Sequence, residues 1–402
     1  MQRHLIKCFG LFLLLNLGSM FLNRNLLSYQ PQAVQRNGSP HAVPLSDANK
    51  VKIIQSAPSI NCSSSQFFRI FYWTKYTSSK STNNWFGLGT SPFEKCEYKN
   101  CLTTNDLADY NSSDAVLFYI FRARSLPSYK FSWQKWILRT DESPANSKTF
   151  APYNGLFNAT WTYHSKSDIF SHMYAAKSSP IPESQAKSPA KTMVLQRKRG
   201  IAWLVGHCYT NGARHLLVKA LQKYIPVDVY GRCGQLRCGP ETLDCERLFQ
   251  AKYRFYLAFE NSLCAEYATE KLWRALHHNL VPIVMGGSNY TSYLPPHWFI
   301  DVANFSTVRA LADYLQLLDT NDSLYLQYFE WKKHFKITYY LPEPCVLCQY
   351  LSEHRNETKV YDRMDLFWDK RTDCHPPQQY YKELFQDIHH ELKDTFSVSF
   401  VI

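Results

Sequence analysis

Phe255–Gly287 reads FYLAFENSLCAEYATEKLWRALHHNLVPIVMGG. The run Phe255–Phe259 is wholly apolar and stops at Glu260-Asn261. A second apolar run, Val281–Met285, is closed by Gly286-Gly287. Continuous apolar runs of this length are what strands buried on both faces of a parallel sheet look like. Between them, Glu266–His277 is a helix candidate with Thr269 at its N-cap and Glu270-Lys271 at its start. A strand, a helix and a strand in this order predict one unit of a doubly wound parallel sheet. Polar groups following such a strand face the ligand crevice. The helix start offers free N–H groups and a positive dipole end to a phosphate, and Lys271 adds a point charge. Glu270 suits a ribose diol as a two-oxygen acceptor, while an exposed helix start remains the plainer reading of the same pair.

The pattern extends outward. Gly200–Val205 and Val227–Tyr230 read as strands, with a helical apolar face between them at Leu216, Leu217, Ala220 and Leu221. No G-x-G-x-x-G and no Walker motif accompanies them. Nearer the N-terminus, Phe67–Trp73, Ala115–Ile120 and Trp136–Leu138 are further strand candidates. The Ser-, Pro- and Lys-rich stretch 177–199 reads as an inter-domain linker, and its Arg197-Lys198-Arg199 as solvated. Residues 323–337 look like one amphipathic helix, and 378–393 like another.

The chain has 402 residues, 45% hydrophobic and 19% charged, which excludes a disordered chain, a collagen-like repeat and a long coiled coil. The net charge of +12 favours anionic partners without choosing among them. A nucleic-acid-binding protein would account for the charge but not for the N-terminus or the sequons. Cys8–Asn23 carries no charge and is mostly apolar, with Arg3 and Lys7 before it and Arg24 after. The run is short for a membrane span. It fits an uncleaved signal anchor better than a cleaved signal peptide, because no clean small-residue cleavage site follows. Residues 24–60 then form a polar, proline-bearing stem.

Either reading puts the rest of the chain in a secretory lumen. Sequons at Asn37, Asn61, Asn111, Asn158, Asn289, Asn304, Asn321 and Asn356 agree. There are 12 cysteines, and all but Cys8 fall beyond the apolar run, in a disulfide-permissive setting. Cys345-x-x-Cys348 lacks a matched second pair for zinc and follows a loop, so it and the Cys233, Cys238, Cys245 group read as local disulfides. An odd number of lumenal cysteines leaves at least one free or paired between chains.

The strings Phe259-Glu-Asn-Ser, Tyr267-x-Thr-Glu-Lys-Leu-Trp and Val281-Pro-Ile-Val-Met-Gly resemble the signature of the Golgi α1,3-fucosyltransferases. Asn289-Tyr290, Phe299–Val302, Val227–Gly234 and Ala202–Arg214 are similar to that family too, as are Gln134-Lys-Trp, Glu142-Ser-Pro, Phe157–Tyr163 and Ser167–Ile169. The resemblance covers roughly residues 65–350. It implies an α/β fold of two Rossmann-like domains facing a cleft, the GT-B arrangement. The implied layout is a cytosolic tail over 1–7, an anchor over 8–23, a stem over 24–60, an acceptor-side domain over 61–178, a linker over 179–199, a GDP-fucose-binding domain over 200–350 and an extension over 351–402.

The resemblance implies transfer of fucose from GDP-β-L-fucose, with inversion and no catalytic metal or other cofactor, to a GlcNAc of glycoprotein glycans. The expected partners are GDP-fucose, an N-glycan acceptor and the membrane, and the expected site is the Golgi lumen. By resemblance Glu142 is the base that takes the acceptor proton. Lys271 and Arg214 are the cations that meet the leaving diphosphate. Glu270 holds the ribose, Glu260, Asn261 and Tyr267 line the donor site, and Tyr163 approaches the donor from the first domain. The family's Tyr-Arg-Arg-x-Ser-Asp reads Tyr163-His-Ser-Lys-Ser-Asp168 here, which moves the expected cations to Lys166 and His164. The family's Ser-Asn-Cys reads Gly206-His207-Cys208, which offers His207 as a donor contact, while an incidental loop histidine is the plainer reading. The acceptor is an N-glycan core or an N-acetyllactosamine antenna, with a lean to the core-modifying invertebrate members from the C-terminal cysteines. The alternatives are transfer to another acceptor such as a peptide, or a non-catalytic glycan-binding protein with a decayed site.

Overall fold

The computed structural model describes residues 40–55, 67–74, 86–170, 176–180, 194–239, 242–339 and 344–384. The first sheet comprises β1 (Phe68–Tyr72), β2 (Cys101–Thr104), β3 (Ala115–Tyr119), β4 (Lys135–Arg139), β5 (Ala159–Thr162) and β6 (Ile169–Phe170). Their order is β6-β5-β4-β3-β1-β2, with every neighbouring pair parallel. After β7 (Ala176–Pro180), the second sheet comprises β8 (Lys198–Leu204), β9 (Val227–Tyr230), β10 (Tyr253–Phe259), β11 (Val281–Met285) and β12 (Ile300–Asp301). It is also fully parallel, in the order β9-β8-β10-β11-β12.

The second sheet shows why its strands read as unbroken apolar runs. Phe255, Leu257 and Phe259 of β10 pack one way, against α1 (Arg214–Leu221). Tyr256 and Ala258 pack the other way, against α2 (Thr242–Lys252) and α3 (Glu270–His277). Alternate side chains serve opposite faces, and both faces are covered. α4 (Val308–Thr320) completes the α1 side with Leu311 and Leu315. Just past β11, residue 287 is glycine for a steric reason: a Cβ there would lie 2.5 Å from the Leu263 carbonyl carbon.

Residues 323–337 do not form one helix. α5 (Asp322–Gln327) is capped by the Asn321 side chain, and a short helical turn follows at Glu330–Lys333. The chain then extends as β13 (Phe335–Tyr339) and pairs antiparallel with β7. Its aromatic residues belong to different neighbours: Tyr325 packs on Phe255, and Trp331 stacks on Trp298 at 4.1 Å. The expected linker is therefore partly strand, since Ala176–Pro180 is held by β13 and Lys198 already belongs to β8. Arg197 is buried rather than solvated and donates to the Asn279 carbonyl.

The C-terminal residues return to the first sheet. α6 (Pro344–Glu353) lays Leu347, Cys348 and Leu351 on Ile70, Leu117 and Ile137. Met364 and Trp368 cover the opposite face beside Phe118 and Leu138. The expected boundary at 350 thus falls inside a helix that packs on the first sheet. The C-x-x-C reading is corrected as well: Cys345 pairs with Cys96 and Cys348 with Cys101, across 249 and 247 residues. Cys238–Cys245 is local, and Cys208–Cys233 and Cys264–Cys374 complete the disulfides among the described residues. Cys62 and the apolar run Cys8–Asn23 lie outside those residues. Among them, no helix is long and apolar enough to cross a membrane.

Candidate active site

Glu142 sits in the loop after β4. Its N–H donates to Thr140 Oγ1 at 3.2 Å, and Pro144 opens a single helical turn behind it. Loops of the second sheet hold this segment from both sides. Ser262 Oγ donates to Ser143 Oγ at 2.6 Å. Asn211 Nδ2 donates to the Ala145 carbonyl at 2.7 Å and to Asn146 Oδ1 at 2.8 Å. Asn146 in turn donates to Glu142 Oε2 at 3.3 Å. The half-buried Glu142 faces a cavity of roughly 1250 Å³, whose other walls include Asn261, His207, Tyr209, Phe121 and His375.

A second cluster forms where β10 ends and α3 begins. Glu260 is 1% exposed and accepts from Thr269 N at 2.8 Å, from Thr269 Oγ1 at 2.9 Å and from Lys271 Nζ at 3.0 Å. Burial pushes its carboxyl above the usual range, and Lys271 opposes that shift. Burial works against the Lys271 ammonium too, but Glu260 and Glu270 outweigh it and hold its pKa above the ordinary value. Glu270 is held low against the effect of burial by Lys271 and Arg274. Thr269 occupies the N-cap position, yet its hydroxyl serves Glu260 rather than an α3 N–H. A buried carboxylate, a lysine and a hydroxyl here satisfy one another.

The expected site residues fall into three groups. Glu142 and Asn261 line the cavity. Glu270 and Lys271 stand partly exposed at the α3 start, with Lys271 3.5 Å from Glu270 Oε1. Glu260, Arg214, Tyr163 and Tyr267 are buried. Arg214 is 3% exposed; it donates to the Phe259 carbonyl at 2.6 Å and to the His207 carbonyl at 3.3 Å, and burial lowers its pKa. It therefore braces the two loops flanking the cavity. Tyr163 and Tyr267 pack with ring centres 4.9 Å apart. Burial raises the pKa of both well above the ordinary value, and the Glu142 charge adds to the rise at Tyr267. The base candidate and the α3 cluster thus share one electrostatic neighbourhood.

The altered Tyr163–Asp168 segment does not carry its cations toward the cavity. Lys166 Nζ pairs with Asp373 at 2.7 Å and lies over the Phe367 ring. His164 sits 3.6 Å from Glu266, whose carboxylate accepts from Ser165 N and Oγ at 2.7 and 2.8 Å. Glu266 holds a φ of 57° there, an uncommon conformation for this residue type that these contacts support. The segment ties the first sheet to the Cys264–Tyr267 loop. His207, by contrast, does line the cavity, and it is exposed.

Asn158, one of the expected sequons, is buried and hydrogen-bonded in the folded chain. It is 7% exposed, its Nδ2 donates to the Lys359 carbonyl at 2.9 Å, and its Oδ1 accepts from Lys130 Nζ and Trp136 N. Asn289, Asn304, Asn321 and Asn356 are exposed and Asn111 is half-buried, while Asn37 and Asn61 lie outside the described residues. Among the described residues, no group of three or more His, Cys, Asp and Glu side chains is placed to hold a metal ion. The sequence reading missed Asn146 and Asn211, which orient the Glu142 loop, and the residues near Cys374, which line the cavity. Only the partner of Cys374 could have signalled the latter, and spacing does not reveal it.

Two family descriptions match the chain: "Fucosyltransferase, N-terminal" over residues 66–174, and "Glycosyltransferase family 10 (fucosyltransferase) C-term" over residues 194–367. The α-(1,3)-fucosyltransferase C of Drosophila melanogaster is 30% identical over 328 residues, covering 74% of this chain and 77% of that protein. The human 4-galactosyl-N-acetylglucosaminide 3-α-L-fucosyltransferase FUT5 is 38% identical over 243 residues, covering 58% of this chain and 63% of that protein. A crystal structure of an α1,3-fucosyltransferase shares the fold, with a TM-score of 0.51 at 18% identity over 79% of this chain and 98% of that one.

Proposed function

The chain belongs to glycosyltransferase family 10, the fucosyltransferases, and from that premise we propose that it transfers fucose from GDP-β-L-fucose, with inversion, to O3 of a GlcNAc in glycoprotein glycans. The acceptor is an N-glycan core or an N-acetyllactosamine. The two sheets serve as the two faces of a GT-B cleft, with the chain held in the Golgi membrane as a single-pass type II protein. The observation that carries the reading is the Glu142 carboxylate, which lines the cavity and is oriented by Asn146.

In the transfer step the acceptor O3 forms a bond to the fucose anomeric carbon as the bond to the β-phosphate oxygen breaks. The O3 proton goes to Glu142, and the electron pair leaves on GDP. Inversion follows because the base and the leaving group lie on opposite sides of that carbon. Lys271, fastened to Glu260, adds positive charge at the α3 start, where a phosphate is also favoured by the helix end. Tyr163 and Tyr267, packed on each other with ring centres 4.9 Å apart, join the first sheet to the loop that carries the donor-side residues.

The test uses full-length protein in detergent with GDP-fucose, EDTA and two acceptors in parallel: an N-acetyllactosamine and a trimmed N-glycan with its core exposed. An α1,3-fucosylated product on either supports the reading and identifies the acceptor. Glu142→Gln is expected to lose roughly 100-fold or more in turnover while still binding GDP. Near-normal turnover would overturn the assignment of the base. Folded protein that neither transfers fucose nor binds GDP would point to a decayed site.

A further inference from the structure

Residues 369–378 form a strap along the cavity. Cys374 is bonded to Cys264, Ala265 N donates to the Asp373 carbonyl at 2.7 Å, and His375 N donates to the Leu263 carbonyl at 2.8 Å. The strap is thus stitched to the loop that leaves β10 through Glu260 and Asn261. Lys166 holds it from the first sheet through Asp373.

The charges along the strap differ in their freedom. Arg371 is doubly bonded to Asp369, at 2.6 and 3.0 Å. Lys370 and His375 line the cavity, are exposed, and have no carboxylate partner among the described residues. His207 stands in the same cavity, also exposed. The lining contains one carboxylate, that of Glu142. Lys370 therefore gives the cavity a positive charge that no carboxylate among the described residues pairs with. Lys166, which the sequence offered as a further cation for this task, is paired with Asp373, so Lys370 stands beside Lys271 and Arg214 as an additional positive charge.

We propose that Lys370, carried on the disulfide-anchored strap with His375 close by, is a donor-binding residue that meets the diphosphate of the nucleotide-sugar. The inference rests on the fucosyl-transfer reading. As the anomeric carbon–oxygen bond breaks, the electron pair moves onto the diphosphate, and the Lys370 ammonium stabilises it while keeping its own proton. The strap compensates for the segment Tyr163–Asp168, whose cations hold the two sheets together instead.

The test is calorimetric titration of the full-length protein with GDP and with guanosine. Wild type, Lys370→Ala, Lys370→Arg and His375→Gln are compared. Lys370→Ala is expected to weaken GDP binding about tenfold, the value of one charge-assisted contact, with guanosine binding unchanged. Lys370→Arg restores most of the loss, and His375→Gln gives a smaller loss of the same kind. Opening the strap with Cys264→Ser and Cys374→Ser reproduces the Lys370→Ala pattern. Equal GDP affinity in wild type and Lys370→Ala would overturn the strap inference alone. A parallel loss of GDP and guanosine would overturn it as well, since that marks a structural role. Wild type without affinity for GDP would overturn the donor reading and the inference together.

Discussion

Lys271 Nζ lies 3.0 Å from Glu260 Oε2, and this carboxylate is otherwise bonded only to Thr269 among the described residues. The lysine at the start of α3 is therefore held by a buried glutamate, and the two residues act as one unit. Glu260→Gln keeps the shape and can still accept from Thr269, but removes the charge that holds the ammonium. GDP affinity is expected to fall about tenfold in this variant and by more in Lys271→Ala. Titration with GDP checks both. Unchanged affinity in Lys271→Ala would remove that residue from the phosphate site.

A buried lysine makes stability depend on pH. Lys130 is 3% exposed, donates to the Leu156 carbonyl and to Asn158 Oδ1, and has its pKa pushed by burial from 10.5 down to about 7. Below that value both folded and unfolded chains hold the proton, and the penalty is fully present. Between it and 10.5 the unfolded chain binds more protons than the folded one, so stability rises with pH, by at most about 1.4 kcal/mol per pH unit. Lys332, less deeply buried, is also lowered to about 7 and adds a smaller share of the same sign. Urea midpoints of wild type and Lys130→Met, measured from about pH 7 to about pH 9.5, should differ in slope, with the variant flatter. Equal slopes would show that Lys130 keeps its charge.

The two disulfides of α6 are coupled. Cys96–Cys345 and Cys101–Cys348 close nearly the same long loop, across 249 and 247 residues. With one intact, the other closes only a short ring. Either pair replaced by serines should cost about 2–3 kcal/mol, whereas replacing both releases the long loop and costs more than the sum of the two. Urea unfolding of the two double-serine variants and the quadruple variant decides this. Additive losses would mean that α6 stays docked by its apolar contacts alone.

Much of this was legible in the sequence. β3, β10 and β11 are buried on both faces, so their apolar runs announced themselves. Glu142, Glu260, Asn261, Glu270 and Lys271 were all expected at the site, and Glu260 and Lys271 do meet. What local pattern misses is which group each charge will face. Glu260 and Arg214 read as ligand contacts because they stand at the right strand end and helix start, and what the pattern does not show is that Glu260 also meets Thr269 and Lys271, and Arg214 the Phe259 and His207 carbonyls. The stretch 323–337 has a helical period because its aromatics are spaced that way, and its second half becomes a strand because β7 is there to pair with it. Cys345 and Cys348 look like a local pair because sequence spacing carries no record of a partner more than two hundred residues away.

The return of α6 to the first sheet also sets an order of events during synthesis. β1–β6 leave the ribosome without the helix that covers one of their faces, and Cys96 and Cys101 emerge 249 and 247 residues ahead of their partners. Cys208, Cys233, Cys238 and Cys245 all appear in that interval and pair with one another in the finished chain. The half that is made second has its strands and local disulfides in hand first. The half that is made first waits, with two open thiols and an uncovered sheet, for α6 and its Cys345 and Cys348 to arrive.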